Sequence, residues 1–546
     1  MIYDGGELRL TARNSFGKCD RWTIPGAGGN TVRVKKGGLF SFVKDPSSHS
    51  ANSVCILMLE GGRVAFNEAL GTDMNPASYG LLQIMSQLKV LKVPGEKSPA
   101  IISNHTDAAI AKYQALAVNK IYNTTFTVEN VTEDDNADLI LDTPLMNNRS
   151  NPATDPVTGR LIKKGAGTLL LLDQTSALTV DMIIEEGTVR LDYHPGVVAS
   201  GKNEFGVDKG TFTLLGDMTK PERKIIVKDT GCLQLMERNH FCAYSYGADG
   251  NNNIQTELVI TNGGSLVLSP TRLGGTCFGP IAFIDGTIEF DTSRALPDSE
   301  NWGWGAFAVR GTMRVGGTQP FKMNAVGKNC WQILYRNKET QFDVADITKD
   351  AAADFITDLP FVVPMDKGCW TDETTGTTAS YGFQKRGAGT MVVNGDVGGT
   401  FNYGMTGEAD VAAGTLEVNG GIHSASLVTV EEGAFLSGTG KVSHVSLTAG
   451  AGFRQKAGTA KPLRIIGNLT VDENPIIRID NPDGLDRKAT RAALFTVSGT
   501  ITGLANLKNA TVYLDNEEQP ASLWRLEEKN GVYSLSPHVG TLVLIK

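Results

Sequence analysis

The feature that most constrains this chain is a short stretch that occurs twice. Lys163 to Leu172 reads K-K-G-A-G-T-L-L-L-L, and Lys385 to Val393 returns as K-R-G-A-G-T-M-V-V. A Gly-Ala-Gly sequence makes a tight turn where a side chain would obstruct the backbone. The threonine and the apolar run after it suit a buried β-strand.

A reduced form, glycine followed by apolar-polar-apolar, recurs along most of the chain. Gly6 leads Leu8 and Leu10, Gly38 leads Phe40 and Phe42, and Gly187 leads Val189 and Leu191. Gly264 leads Leu266 and Leu268, and Gly286 leads Ile288 and Phe290. Successive marks usually lie 19 to 33 residues apart. Alternation of period two turns one face inward and the other to water. One such strand cannot bury its apolar face alone. Stacked on neighbours of the same kind it can, and its backbone groups then pair above and below. The pattern therefore predicts an all-β chain built as a β-helix or another β-solenoid. Propeller blades need about 40 residues and four strands each, so the shorter period disfavours them. A solenoid also replaces the about three or four globular domains that 546 residues would otherwise suggest.

A longer period sits above the short one. Gly6, Gly38, Gly62, Gly167 and Gly187 map onto Gly231, Gly264, Gly286, Gly389 and Gly414, at shifts of 222 to 227. Between these marks, Val128-Glu129-Asn130-Val131-Thr132 with Ala137-Asp138 becomes Val344-Ala345-Asp346-Ile347-Thr348 with Ala353-Asp354, a shift of 216. Residues 1–225 and 226–455 are accordingly read as two diverged solenoid blocks. Beyond them Pro462, Pro475 and Pro482 change the rhythm, and 456–546 is expected to be a β-rich C-terminal cap. Residues 67–125 and 316–343 interrupt the pattern and are expected to protrude as loops, where function concentrates. Within the first of these, Thr106 to Lys120 has the composition of a short helix.

Composition bounds the partners. The net charge is −8 and there is no basic block, which argues against nucleic acid. No apolar run approaches the ~18 residues of a membrane helix. Met1 to Gly6 lacks the charged start and apolar run of a secretory leader. The first copy opens on a coil already in register, without the polar cap that a solenoid end needs. Residue 1 is therefore expected to be internal to a longer chain, or a misplaced start. The seven cysteines show no C-x-x-C spacing, so no zinc site is expected. Cys232 with Cys242, and Cys330 with Cys369, are candidate disulfide pairs; buried thiols are the plainer reading.

The unit K-x-G-A-G-T-L-x-L, followed by E-E-G-T-V-x-L at Glu185 to Leu191, resembles the autotransporter-associated β-strand repeat. That repeat is found in passenger regions of bacterial autotransporters and in related large surface proteins. Lys385 to Val393, followed by Ala413-Gly414-Thr415-Leu416-Glu417-Val418, is similar. The resemblance implies a right-handed parallel β-helix, export, and an extracellular or bacterial cell-surface place, with the export signal upstream. The C-terminal region is too short for a translocator barrel, which needs at least about eight strands. The repeat is nearly silent on activity, since fold does not fix function.

No G-x-S-x-G, H-E-x-x-H, P-loop or Rossmann fingerprint occurs, so no catalytic residue, metal or cofactor is expected. His194, before Pro195, reads as a turn residue. Asp134, Asp135, Asp138, Asp350 and Asp354 could hold Ca²⁺. Asp138 and Asp354, however, recur at one place in each copy, which favours side chain–backbone bonding in a turn. In Asn301-Trp302-Gly303-Trp304, neither Trp302 nor Trp304 has a counterpart in the first copy. The fold does not demand them, and they are the candidate ligand-binding residues, a platform for a sugar ring or a partner; packing under a loop is the alternative. Trp22 and Trp331 are similarly unmatched.

The function expected is that of a non-enzymatic surface or secreted β-solenoid. It would be an adhesin-like or passenger-type stalk, with a glycan or a host or cell-surface protein as partner. About 15–20 coils at ~4.8 Å each would extend roughly 70–100 Å. The alternative is a β-helix carbohydrate-active enzyme, a polysaccharide lyase or glycosidase. That needs an acid/base pair, or a metal with a basic residue, converging on one wall.

Overall fold

In the computed structural model the described residues are 1–10, 29–43, 50–67, 80–103, 114–119, 121–143, 145–147, 158–172, 178, 180–192, 224–236, 256–269, 274–291, 305–309, 311–326, 330–333, 340–362, 382–396, 408–485 and 490–538. The fold is all-β, with a long, mostly parallel, open sheet. Chain contacts divide it into two compact units. One holds Met1–Tyr244, Asn251–Gly279 and Gly286–Gly303; the other holds Ser245–Gly250, Pro280–Asp285 and Trp304–Lys546.

In the first unit the glycine-led strands stack in parallel in one wall, which Ala100–Ser103 and Leu139–Asp142 join without a leading glycine. Glu7–Leu10 pairs with Leu39–Val43, which pairs with Arg63–Asn67, then Ala100–Ser103, Leu139–Asp142 and Thr168–Leu171. The strands that precede the glycine corners form a second parallel ladder. Thr31–Lys35 starts it, and Thr124–Val128, Arg160–Lys164 and Asp181–Leu191 continue it. A third ladder joins the first halves of Ser50–Glu60 and Gly80–Val90 to Gln114–Val118 and Leu145–Asn147. Each turn of chain thus contributes one strand to each wall, the arrangement of a solenoid.

The register explains the alternation seen in the sequence. Phe40, Val64, Ile102, Leu141, Leu171, Leu191, Leu235, Leu268 and Phe290 stand above one another as one interior column. None is more than 2 % exposed. Each side chain completes the apolar surface of the rung before it, which is how short strands reach full burial. Between walls, corners such as Asn262-Gly263 take the left-handed conformation, with φ of 49° and 87°.

The second unit repeats the scheme. Thr340–Val344, Phe383–Arg386 and Ala409–Val411 stack in one wall. Phe355–Thr357, Thr390–Val393, Thr415–Val418 and Phe435–Gly438 stack in the next. Parallel pairing runs on past residue 456, through Ile476–Asp480 to Thr511–Leu514. Antiparallel strands then follow. Glu517–Gln519 folds back on Thr511–Leu514, and Trp524–Lys529 forms a hairpin with Val532–Pro537 across Asn530-Gly531. Both turn residues have positive φ, as a tight hairpin requires. Val532–Pro537 also lies antiparallel to Ala492–Val497, and Tyr533 stacks on Phe495 at 4.9 Å between centroids.

The helix expected over Thr106 to Lys120 is not formed where that segment is described. Gln114–Val118 is a strand, with Ala115 to Val118 at most 2 % exposed. Helix propensity in Gln-Ala-Leu-Ala is a weak preference, overridden here by two parallel neighbours and complete burial. Nor do the described parts of 67–125 and 316–343 abandon the coils, since Gly80–Val90, Ala100–Ser103, Phe321–Val326 and Cys330–Ile333 are all rungs.

Candidate functional site

The buried polar residues of the repeated motif make the same constellation in each unit. Asp138 precedes the strand Leu139–Asp142 and is 1 % exposed. Its Oδ1 accepts from the amides of Val131 and Thr132 at 2.6 and 2.8 Å and from the Thr132 hydroxyl at 3.0 Å. Its Oδ2 accepts from the Thr168 amide, one coil on, at 2.7 Å. Asp354, fully buried, accepts from the amides of Ile347 and Thr348 at 2.8 Å, the Thr348 hydroxyl at 3.0 Å and the Thr390 amide at 2.7 Å. Each carboxylate therefore closes a turn within its coil and fastens the strand of the next coil.

Gly-Ala-Gly is required by the same contact. A Cβ on Gly167 would run into the Glu129 carbonyl and press on Asp138 Oδ2; one on Gly389 would meet the Ala345 carbonyl and Asp354 Oδ2. Gly165 and Gly387 supply the left-handed turn, with φ of 78° and 72°.

The motif lysine faces the interior. Lys163 stands in register with Phe126 on one side and Ile184 on the other, and Lys385 with Phe342 and Val411. Both are fully buried. Lys163 Nζ donates to the Gly165 carbonyl at 2.7 Å and, in the next coil, to that of Glu186 at 2.8 Å. Lys385 Nζ donates to the carbonyls of Arg386, Gly387 and Ala413 at 3.1, 2.6 and 2.9 Å. Burial pushes each ammonium down to about 8, against the pull of Glu186 and Asp138 on Lys163 and of Asp354 and Asp343 on Lys385. The aspartate thus ties its coil to the second, and the lysine ties the second to a third. Both groups are enclosed and already bonded to backbone, so what they can do chemically is hold coils in register.

The alternation signals this placement. In Arg160–Lys164 the lysine at 163 shares the inward parity of Leu161, yet the sequence alone does not reveal that it is paired to carbonyls rather than to solvent. Two of the other acidic residues serve local turns. Asp134 accepts from the Asn136 amide at 2.8 Å and Asp350 from the Ala352 amide at 2.7 Å. The first of these bonds leads the effects that hold the Asp134 carboxyl below its usual range. Among the described residues no group of three or more His, Cys, Asp or Glu could hold a metal ion.

Trp302 and Trp304 lie outside the described residues, as do Trp22, His194, Cys242 and Cys369. Trp331 falls within the strand Cys330–Ile333. Cys232 is a free thiol, as is Cys55. Among the described residues no helix is long and apolar enough to cross a membrane. No protein-family model matches the chain, and no curated protein matches it significantly.

Proposed function

We propose that this chain is a non-enzymatic, right-handed β-solenoid of a bacterial surface or secreted protein, a stalk of the adhesin-like or passenger type. One observation carries the reading. In both units the buried aspartate and lysine of the repeat are spent on the chain's own backbone across successive coils. The residues that look most like chemistry are the ones that make the coils stack. In this reading the mechanism is geometric: stacked coils hold binding segments away from the cell, where a glycan or a surface protein can be engaged, and Trp302 and Trp304 are the residues proposed to engage it.

The test has two arms on the intact chain. Small-angle scattering gives an elongated particle, of roughly 70–100 Å or more for the coil count expected. Incubation with acidic and neutral polysaccharides, with and without Ca²⁺, gives no cleavage products. A compact particle contradicts the stalk, and Ca²⁺-dependent chain cleavage replaces it with a carbohydrate-active enzyme.

A further inference from the structure

The outer face of the second unit carries two arginines on successive rungs, and they are used differently. Arg454 and Arg478 are in register between Gly452–Lys456 and Ile476–Asp480. Arg454 is fully committed. Its Nε and Nη2 bind the two oxygens of Asp480 at 2.7 and 3.1 Å, and its Nη1 reaches Thr415 Oγ1 at 3.2 Å. Arg478 has no such anchor. Its Nε is buried without an acceptor, and among the described residues it makes no hydrogen bond or ion pair. It is held by rings instead: its guanidinium lies 4.8 Å from the centroid of Phe435 and 5.7 Å from that of Tyr513.

The rungs themselves build this arrangement. Gly452 stands opposite Phe435 on the next rung, with Ile476 packed against its backbone, and Arg478, two residues beyond Ile476, reaches back over the Phe435 ring. Tyr513 follows Arg478 in the same column, half-buried. Glu518 stands opposite Tyr513 on the neighbouring strand and makes no ion pair with Arg478; the other nearby carboxylates are taken. Asp480 is bound by Arg454, Asp483 pairs with Lys456 at 3.2 Å, and Glu417 accepts from Asn419 at 2.7 Å. A cation stacked between aromatic faces, half-buried and with its fork unspent, is pre-organised for a planar anion. An aromatic ring beside it offers a face for a sugar ring.

We propose that Arg478, with Tyr513 beside it, is a binding site for a carboxylate-bearing sugar on the outer wall of the C-terminal coils. The carboxylate takes the terminal Nη edge of the guanidinium, since Nε is buried, and the pyranose packs on the tyrosine. Arg478 binds the ligand, and Arg454 positions it by removing Asp480 from competition. Binding at Arg478 does not require Trp302 or Trp304.

Saturation-transfer NMR on the intact chain, with D-glucuronate and D-glucose at equal concentration, tests this. The expected result is transfer to glucuronate and little to glucose. Affinity for glucuronate falls about tenfold or more in Arg478→Gln, and less in Arg478→Lys, which keeps charge but loses the fork. Tyr513→Ala weakens glucuronate while leaving competition by acetate intact. Thermal melts of each variant separate lost binding from lost folding, and Arg478→Lys alone decides if Arg478→Gln melts early. Equal transfer to both sugars, or wild-type affinity in folded Arg478→Lys and Arg478→Gln, overturns the proposal. Displacement by inorganic phosphate as effective as by acetate makes the site a plain anion site and overturns its sugar part.

Discussion

Asp138 and Asp354 show how much one side chain can hold in a solenoid. Each accepts from three amides and a hydroxyl, and around Asp138 the three amides belong to buried residues that would lose their acceptor. Asp138→Ala should therefore destabilise its region by about 3 kcal/mol, because unsatisfied buried donors cost more than the bonds themselves contribute. Denaturant unfolding of that variant, with Asp134→Ala as the exposed-turn control, checks this. The lysines carry the opposite sign. Their folded value of about 8 lies below the ordinary 10.5, so the folded state binds fewer protons than the unfolded one between those limits. Their burial is most unfavourable below pH 8, and that penalty is relieved as pH rises from about 8 to 10.5. The stability of wild type relative to Lys163→Met should rise across that window by up to about 3 kcal/mol, measured as the difference between the two denaturation curves at each pH. A difference that stays flat or falls contradicts the buried placement of the lysine.

At the scale of elements, the strands were legible and their surroundings less so. Glycine-led alternation in Gly187–Leu191 or Gly264–Leu268 reports the wall strand directly, since the inward residues form the columns seen in the register. Gln114–Val118 lies in a segment whose composition favours helix locally, and only the neighbouring rungs decide otherwise. The two halves of the corner lock were each visible, the Asp recurring at one shift and K-x-G-A-G-T at another. Their union was not, because it joins residues 30 apart in one unit and 36 apart in the other. The C-terminal hairpin Trp524–Pro537 announces itself through Asn530-Gly531. It covers Ala492–Val497, and through Tyr533 and Phe495 it adds to the aromatic stack that reaches Phe453. Glu517, Glu518, Glu527 and Glu528 place charge on these terminal strands, which discourages edge-to-edge pairing. Ending the chain before Trp524 should uncover that strand and the Phe495 ring. Sedimentation should then show self-association that grows with concentration, while the full chain stays at one size.

For the whole molecule, the claim on which the rest depends is that the strands pair in parallel with partners one coil away. Arg190 faces Gln234, 44 residues further along the chain, and Gln341 faces Gln384 in the second unit. Rungs ~4.8 Å apart place the Cα atoms of such pairs within reach of a disulfide, whereas positions two rungs apart are beyond it. In a background lacking the seven native cysteines, Arg190→Cys with Gln234→Cys and Gln341→Cys with Gln384→Cys should oxidise readily. Arg190→Cys with Val267→Cys, two rungs apart, should stay reduced. Trapping of the two-rung pair, or failure of both one-rung pairs in folded protein, would contradict coil-on-coil stacking.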